Sequence, residues 1–118
     1  LERLVLRHRD GGEEETVAAD ALFLMIGASP NSGWLPPEMA RDEGGFLRAG
    51  GDLGEDSGWP LARQPLSLET NVPGVFAAGD MRHGAMNRVA AAVGEGSVAV
   101  RQVHEMLAAD RLPPRQPV

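Results

Sequence analysis

The chain has no cysteine, no lysine and no tyrosine, and only three phenylalanines and two tryptophans in 118 residues. Without cysteine, a disulfide scaffold, a thiolate zinc site and a cysteine nucleophile or redox pair are all excluded within these residues. Without lysine, all eleven basic residues are arginine, and a Walker-type phosphate loop is excluded. The scarcity of rings argues against a stacking platform for single-stranded nucleic acid. A formal net charge of -6 argues against a binder of phosphate backbones, so no nucleic-acid partner is expected. The longest apolar run, residues 21–26, is far below the ~20 residues of a membrane span, and no membrane partner is expected. The start, Leu1-Glu2-Arg3, has neither an initiator Met nor a signal-peptide pattern, and reads like the middle of a longer polypeptide.

What is present suits one globular domain with many turns. Hydrophobic residues make 42% and charged residues 24%, with 15 Gly and 9 Pro. Residues 4–9 and 16–20 flank Asp10-Gly11-Gly12 and an acidic run at 13–15, which predicts two short strands joined by a glycine turn. Ala21-Leu22-Phe23-Leu24-Met25-Ile26-Gly27 carries no charge, and its continuous apolarity predicts a strand buried on both faces. Phe46-Leu47-Arg48-Ala49 predicts one further short strand, and residues 50–58 a solvated, glycine-rich acidic loop. Asn71-Val72-Pro73-Gly74 predicts a turn and Val75-Phe76-Ala77-Ala78 a second buried strand. From Met86 to Ala109 the period changes. Val89, Val93, Gly96, Val100, Val103 and Leu107 step by three and four, which predicts one face of a long helix. Pro113-Pro114 ends it, and residues 113–118 read as a tail.

Gly94-Glu95-Gly96-Ser97-Val98-Ala99 fits the G-x-G-x-x-A spacing of a dinucleotide loop. That loop works only between a strand and a helix start, whereas here it follows helix-favouring alanines. The spacing is read instead as glycines that let a helix lie close to a sheet. The informative segment is Thr70-Asn71-Val72-Pro73-Gly74-Val75-Phe76-Ala77-Ala78-Gly79-Asp80. A strand ending in Gly-Asp and followed shortly by a helix places a carboxylate and free helix N–H groups at one sheet edge, where ligands of open α/β sheets sit. Asp80, ionised, only accepts hydrogen bonds and suits sugar or ribityl hydroxyls. On physics alone, the pair reads equally well as a turn with Asp as a cap.

At these residues the chain resembles the C-terminal part of the thioredoxin reductase-like flavoproteins, within the pyridine-nucleotide disulfide oxidoreductases. Residues 22–31 look like the strand and turn that return the chain from the NADPH domain to the FAD domain. Residues 70–80 look like the family's T-x-V-P-G-V-F-A-A-G-D, and residues 89–99 like its A-x-G-x-G-x-x-A helix. The resemblance implies an α/β fold: the C-terminal fragment of an FAD/NAD(P)-binding Rossmann-like domain, with short strands and one long C-terminal helix. Residues 1–20 would be a β-hairpin ending the NADPH-domain region, residues 21–112 the C-terminal segment of the FAD domain, and 113–118 the tail. It implies FAD as cofactor, held through Gly79, Asp80, Asn87, Arg88 and Val89, with Asp80 on the ribityl and the helix start on the flavin's pyrimidine side. The family usually has a basic residue and then Gln where this chain has Asn87-Arg88.

The family's NADPH fingerprint, FAD-phosphate loop and redox C-x-x-C are not in these 118 residues. No catalytic residue is therefore assigned and the chain alone is expected to be inactive, and no His, Asp or Glu spacing resembles a metal site. The resemblance implies hydride transfer from NADPH to FAD and electrons onward to a disulfide, in the cytoplasm. Expected partners are the missing N-terminal part of the same protein, a thioredoxin-like redox partner and a second copy in a homo-oligomer. The alternatives are a cysteine-less flavoprotein that reduces ferredoxin, a quinone or oxygen, a non-catalytic flavin-binding module, or a fragment without ligand. The long loop from Gly50 to Arg63 and Arg82-His83-Gly84 resemble a subgroup fused to other modules. His8 and His104 read as surface residues, and His83, three past Asp80, as a candidate proton relay near the flavin edge.

Overall fold

The computed structural model describes residues 1–111, the last two by their backbone alone. The expected tail at 113–118 lies outside the described residues. The chain begins with an antiparallel hairpin, β1 (Arg3–Arg7) and β2 (Glu14–Ala18), in the register Leu4 opposite Val17 and Leu6 opposite Glu15. This bears out the two strands read around Asp10-Gly11-Gly12, each displaced by one or two residues. Among the described residues no other helix or strand packs on this ribbon. The molecule is accordingly long: 77 × 29 × 23 Å, with a radius of gyration of 21.3 Å. A compact chain of this length would have about 13 Å.

Residues 21–26 are not the buried strand that their composition predicts. They are unpaired, with Phe23 83% and Ile26 89% exposed. A strand buried on both faces needs neighbours on both edges and covering layers, and no described residue supplies them. Residues 46–49 and 75–78 also fall short of strands. Only single bridges form, Arg41 with Leu47, Leu47 with Arg82, and Glu69 with Phe76. Leu47 and Ala77 are buried as expected, but the sheet that would extend these bridges is missing among the described residues.

The remainder is held around a small apolar cluster of Met39, Leu47, Ala49 and Ala77, with Leu35, Val72 and Met81 packed against it. The predicted turn forms: Val75 N–H donates to Val72 O at 3.1 Å, with Gly74 at φ +81°. Pro73 then Gly74 at the two central positions suits a type II turn. The glycine-rich loop is mostly exposed and contains two short 3-10 turns, Gly50–Asp52 and Glu55–Ser57.

The helix, α1, runs Val89–Arg111 and starts slightly later than the sequence suggests. Its packing face also differs. Val89 is 83% and Val93 68% exposed, and Val100 and Leu107 are exposed as well. The face turned to the body carries Ala92, Glu95, Ala99, Gln102 and Met106. α1 is apolar on two faces, a property of helices covered on more than one side, so valine periodicity selects the face that this chain leaves open. Gly94 and Gly96 have nothing within 4 Å of where a Cβ would sit. They provide no close approach to a sheet.

Candidate functional site

The site is built where the hairpin around residues 71–74 returns to α1. Thr70 N–H donates to Val75 O and Ala77 N–H to Leu68 O, each at 2.8 Å, carrying the chain to Ala78 in extended conformation. Gly79 then takes φ +72° and opens a 3-10 turn, Gly79–Met81. A Cβ at Gly79 would stand 3.2 Å from the Ala92 methyl of α1. The position therefore needs glycine for both backbone and space. On the far side, Leu47 N–H donates to Met81 O and His83 N–H to Leu47 O, each at 2.8 Å.

Asp80 stands exposed at the crown of this turn, and its carboxylate has no hydrogen bond or ion pair among the described residues. It borders an open groove of about 430 Å³ lined by Asp80, Asn87, Arg88, Val89, Ala92 and Val93. Four of the five residues singled out in the sequence thus line one groove, and the fifth, Gly79, is buried directly behind Asp80. Ala92 N–H donates to Arg88 O at 3.0 Å, so Arg88 sits at the N-cap of α1. The first turn of α1 contains no acidic residue. The leading N–H groups of a helix have no intrahelical acceptor and carry partial positive charge. The groove thus presents an acceptor-only carboxylate on one wall and helix donors on the other, which fits a hydroxylated chain ending in an electron-rich carbonyl group.

The electrostatic frame behind the groove escaped the sequence reading. Glu95 Oε2 accepts the Gly79 N–H at 2.7 Å and Arg82 Nε at 3.2 Å, while Oε1 pairs with the Arg82 guanidinium. The Arg82 hydrogen bonds hold the Glu95 carboxyl below its ordinary value, and Glu95 in turn raises Arg82. Asp52 lies 3.8 Å from Arg82. A signal was available, namely a carboxylate between two glycines on an otherwise uncharged stretch of the helix, residues 89–100, and an arginine two residues past Asp80. His83 Nδ1 meets Asp42 Oδ2 at 2.6 Å, and Asp42 Oδ1 accepts the Phe46 N–H at 2.9 Å. His83, whose hydrogen bond is the largest influence, keeps Asp42 below its usual value. The ionised carboxylate favours a proton on Nδ1. His83 is absent from the groove lining, so the groove itself contains no histidine. His8 and His104 are exposed.

A second polar knot supports the approach. Glu69 is 0% exposed, grips Arg63 through both oxygens at 2.7 and 2.8 Å, and accepts the N–H groups of Leu66 and Gly74. The Arg63 hydrogen bonds bring its pKa down to about 2. Arg63 also lies over the Trp59 ring, 5.1 Å from its centroid. Among the described residues no group of three His, Cys, Asp or Glu could hold a metal ion, and no helix is long and apolar enough to cross a membrane.

The sequence profile described as pyridine nucleotide-disulphide oxidoreductase matches residues 2–96. The chain belongs to this family. It is 33% identical, over 92% of its length, to NADPH-dependent thioredoxin reductase 3 of Arabidopsis thaliana, covering 18% of that protein. It is 31% identical, over 86% of its length, to thioredoxin reductase of Coxiella burnetii, covering 29%. It is also 32% identical, over 91% of its length, to ferredoxin--NADP reductase 1 of Shouchella clausii, covering 27%. The chain therefore spans less than a third of the length of these relatives. The family implies an FAD/NAD(P)-binding Rossmann-like domain, and a small sheet with one long helix is consistent with part of one.

Proposed function

We propose that residues 21–112 form the C-terminal wall of the flavin site in an NADPH-dependent, thioredoxin reductase-like oxidoreductase, and that residues 1–20 close its NADPH-binding region. The observation that carries this reading is the uncommitted carboxylate of Asp80 facing the start of α1 across one groove. In this role Asp80 accepts hydrogen bonds from ribityl hydroxyls, and Gly79 lets the backbone approach the ligand. Asn87, Arg88 and Val89 bring the helix donors to the pyrimidine side of the ring, where reduction places negative charge. When bound, FAD supplies a two-electron carrier between NADPH and the acceptor. A disulfide in a thioredoxin-like partner is the acceptor that the two thioredoxin reductases support. Ferredoxin is the second reading, supported by the likeness to the ferredoxin reductase.

Asp80→Ala in the complete flavoprotein should weaken FAD binding roughly ten- to a hundredfold, the worth of a hydrogen bond to a charged group. Asp80→Asn should recover part of this, because its carbonyl still accepts. FAD titration by fluorescence quenching measures both, and an Ala variant as tight as wild type would reduce Asp80 to a turn residue. The 118-residue chain by itself should pass through gel filtration without retaining flavin. Near-stoichiometric yellow protein would show that this wall alone suffices.

A further inference from the structure

We propose that Glu95, with Arg82, is the positioning pair of the groove, fixing where Asp80 stands relative to the start of α1. The proposal rests on the flavin reading above and names residues that this reading does not use. Glu95 lies six residues into α1, about 9 Å along its axis from Val89. From there one carboxylate holds both ends of the turn that carries Asp80, Gly79 through its N–H at 2.7 Å and Arg82 through its guanidinium. The two side chains are only 19% and 18% exposed. Ala92, three residues earlier on the same face, receives Gly79. The turn therefore rests on one helical position and hangs from the next, so Asp80 cannot shift along α1 without breaking these bonds.

Charge explains why the anchor is a pair. The Glu95 carboxylate is largely removed from solvent, and Arg82 supplies the paired charge that such burial requires. Arg82 also donates to His83 O at 2.9 Å, which ties the exit of the turn to the same anchor. Asp42 grips His83 from the opposite side. The pair thus touches no ligand in this role and acts through Gly79 and Asp80.

The test uses the complete flavoprotein, with FAD as the probe. Glu95→Asp keeps the charge but shortens the reach by one methylene, and Glu95→Gln keeps an acceptor for Gly79 without the charge. Glu95→Ala removes both. Asp and Ala variants should weaken FAD about tenfold or more, within the range of coupled neighbours, while Gln, which keeps the Gly79 acceptor but loses the charge opposite Arg82, recovers part of the affinity. Combined with Asp80→Ala, the Glu95→Asp loss should be smaller than the sum of the two singles, and flavin absorbance in Glu95→Asp should shift toward that of the Asp80 variants. Wild-type affinity in Glu95→Asp, or losses that simply add, would overturn the proposal, provided that Asp80→Ala weakens FAD. If Asp80→Ala has no effect, the flavin reading itself fails, whatever Glu95 does.

Discussion

The most apolar stretch of the chain and its most completely buried side chains are different regions with opposite chemistry. Residues 21–26 contain Leu, Phe, Leu, Met and Ile, all exposed, whereas the largest fully buried side chains are Glu69 and Thr70. Around the latter, side chains act as staples between loops. Asn71 Oδ1 accepts the Ala40 N–H, and its amide donates to Glu38 O and Ser57 O, at 2.8–2.9 Å. Gln102 reaches from α1 to Leu68 N–H and Ser67 Oγ. The Arg41 guanidinium donates to the carbonyls of Ser32, Leu35, Pro36 and Met39. A small apolar cluster with many satisfied polar bonds holds residues 30–109. Residues 1–29 have one exposed side-chain pair, Arg7 with Glu14 across the hairpin, and their apolar side chains depend on partners that these residues do not provide. Burial here follows available partners more than hydrophobicity.

The sharpest break of this contrast is Glu69→Ala. It removes the acceptor for two backbone N–H groups and for Arg63, and should destabilise the chain by about 2–4 kcal/mol in denaturant unfolding. A loss under about 0.5 kcal/mol, the range of ordinary surface changes, would mean that the knot is ornamental. The same group sets a pH dependence. Its carboxyl is lowered from 4.5 to about 2, so its contribution is complete above the unfolded value and fades as pH falls from about 4.5 toward 2. Unfolding curves across that window should show the slope, and Glu69→Gln should flatten it. Gly79→Ala comes next. Its positive φ and the 3.2 Å approach to Ala92 should cost about 1–2 kcal/mol.

The smallest effect belongs to the other region. Ile26→Glu should change the unfolding free energy of the 118-residue chain by less than about 0.5 kcal/mol, since the side chain contacts little. It should nevertheless reduce self-association, which is expected of a chain with unpaired apolar segments. Light scattering with size exclusion reads this effect. A sharp 12.5 kDa monomer for the unaltered chain would remove the reason for the substitution.

The local features were legible because neighbours in sequence decide them. Asp10-Gly11-Gly12 sets the hairpin, Pro73-Gly74 the turn, and the alanine-rich run from Val89 the helix. Asp80, Asn87, Arg88 and Val89 came together through the family resemblance, since local chemistry alone left Asp80 equally a turn cap; the structure places the four along one groove. Strand formation at 21–26 and 75–78 was not legible, because pairing is non-local and composition reports only what a strand would bury. The face of α1 was misassigned for a related reason. Valines mark the side that stays open, whereas the side that packs is tied down by Glu95 and Gln102, polar residues whose partners lie 16 and 34 positions away.

The central claim is that Asp80 and the start of α1 face one flavin. An experimental structure of the complete protein with FAD bound measures it directly. The account predicts an Asp80 carboxylate oxygen within about 2.5–3.0 Å of a ribityl hydroxyl, a charge-assisted hydrogen bond, with Val89 N–H turned toward the ring. A flavin seated elsewhere, with Asp80 facing solvent and no ribityl oxygen within about 4 Å, beyond any direct hydrogen bond, would contradict it.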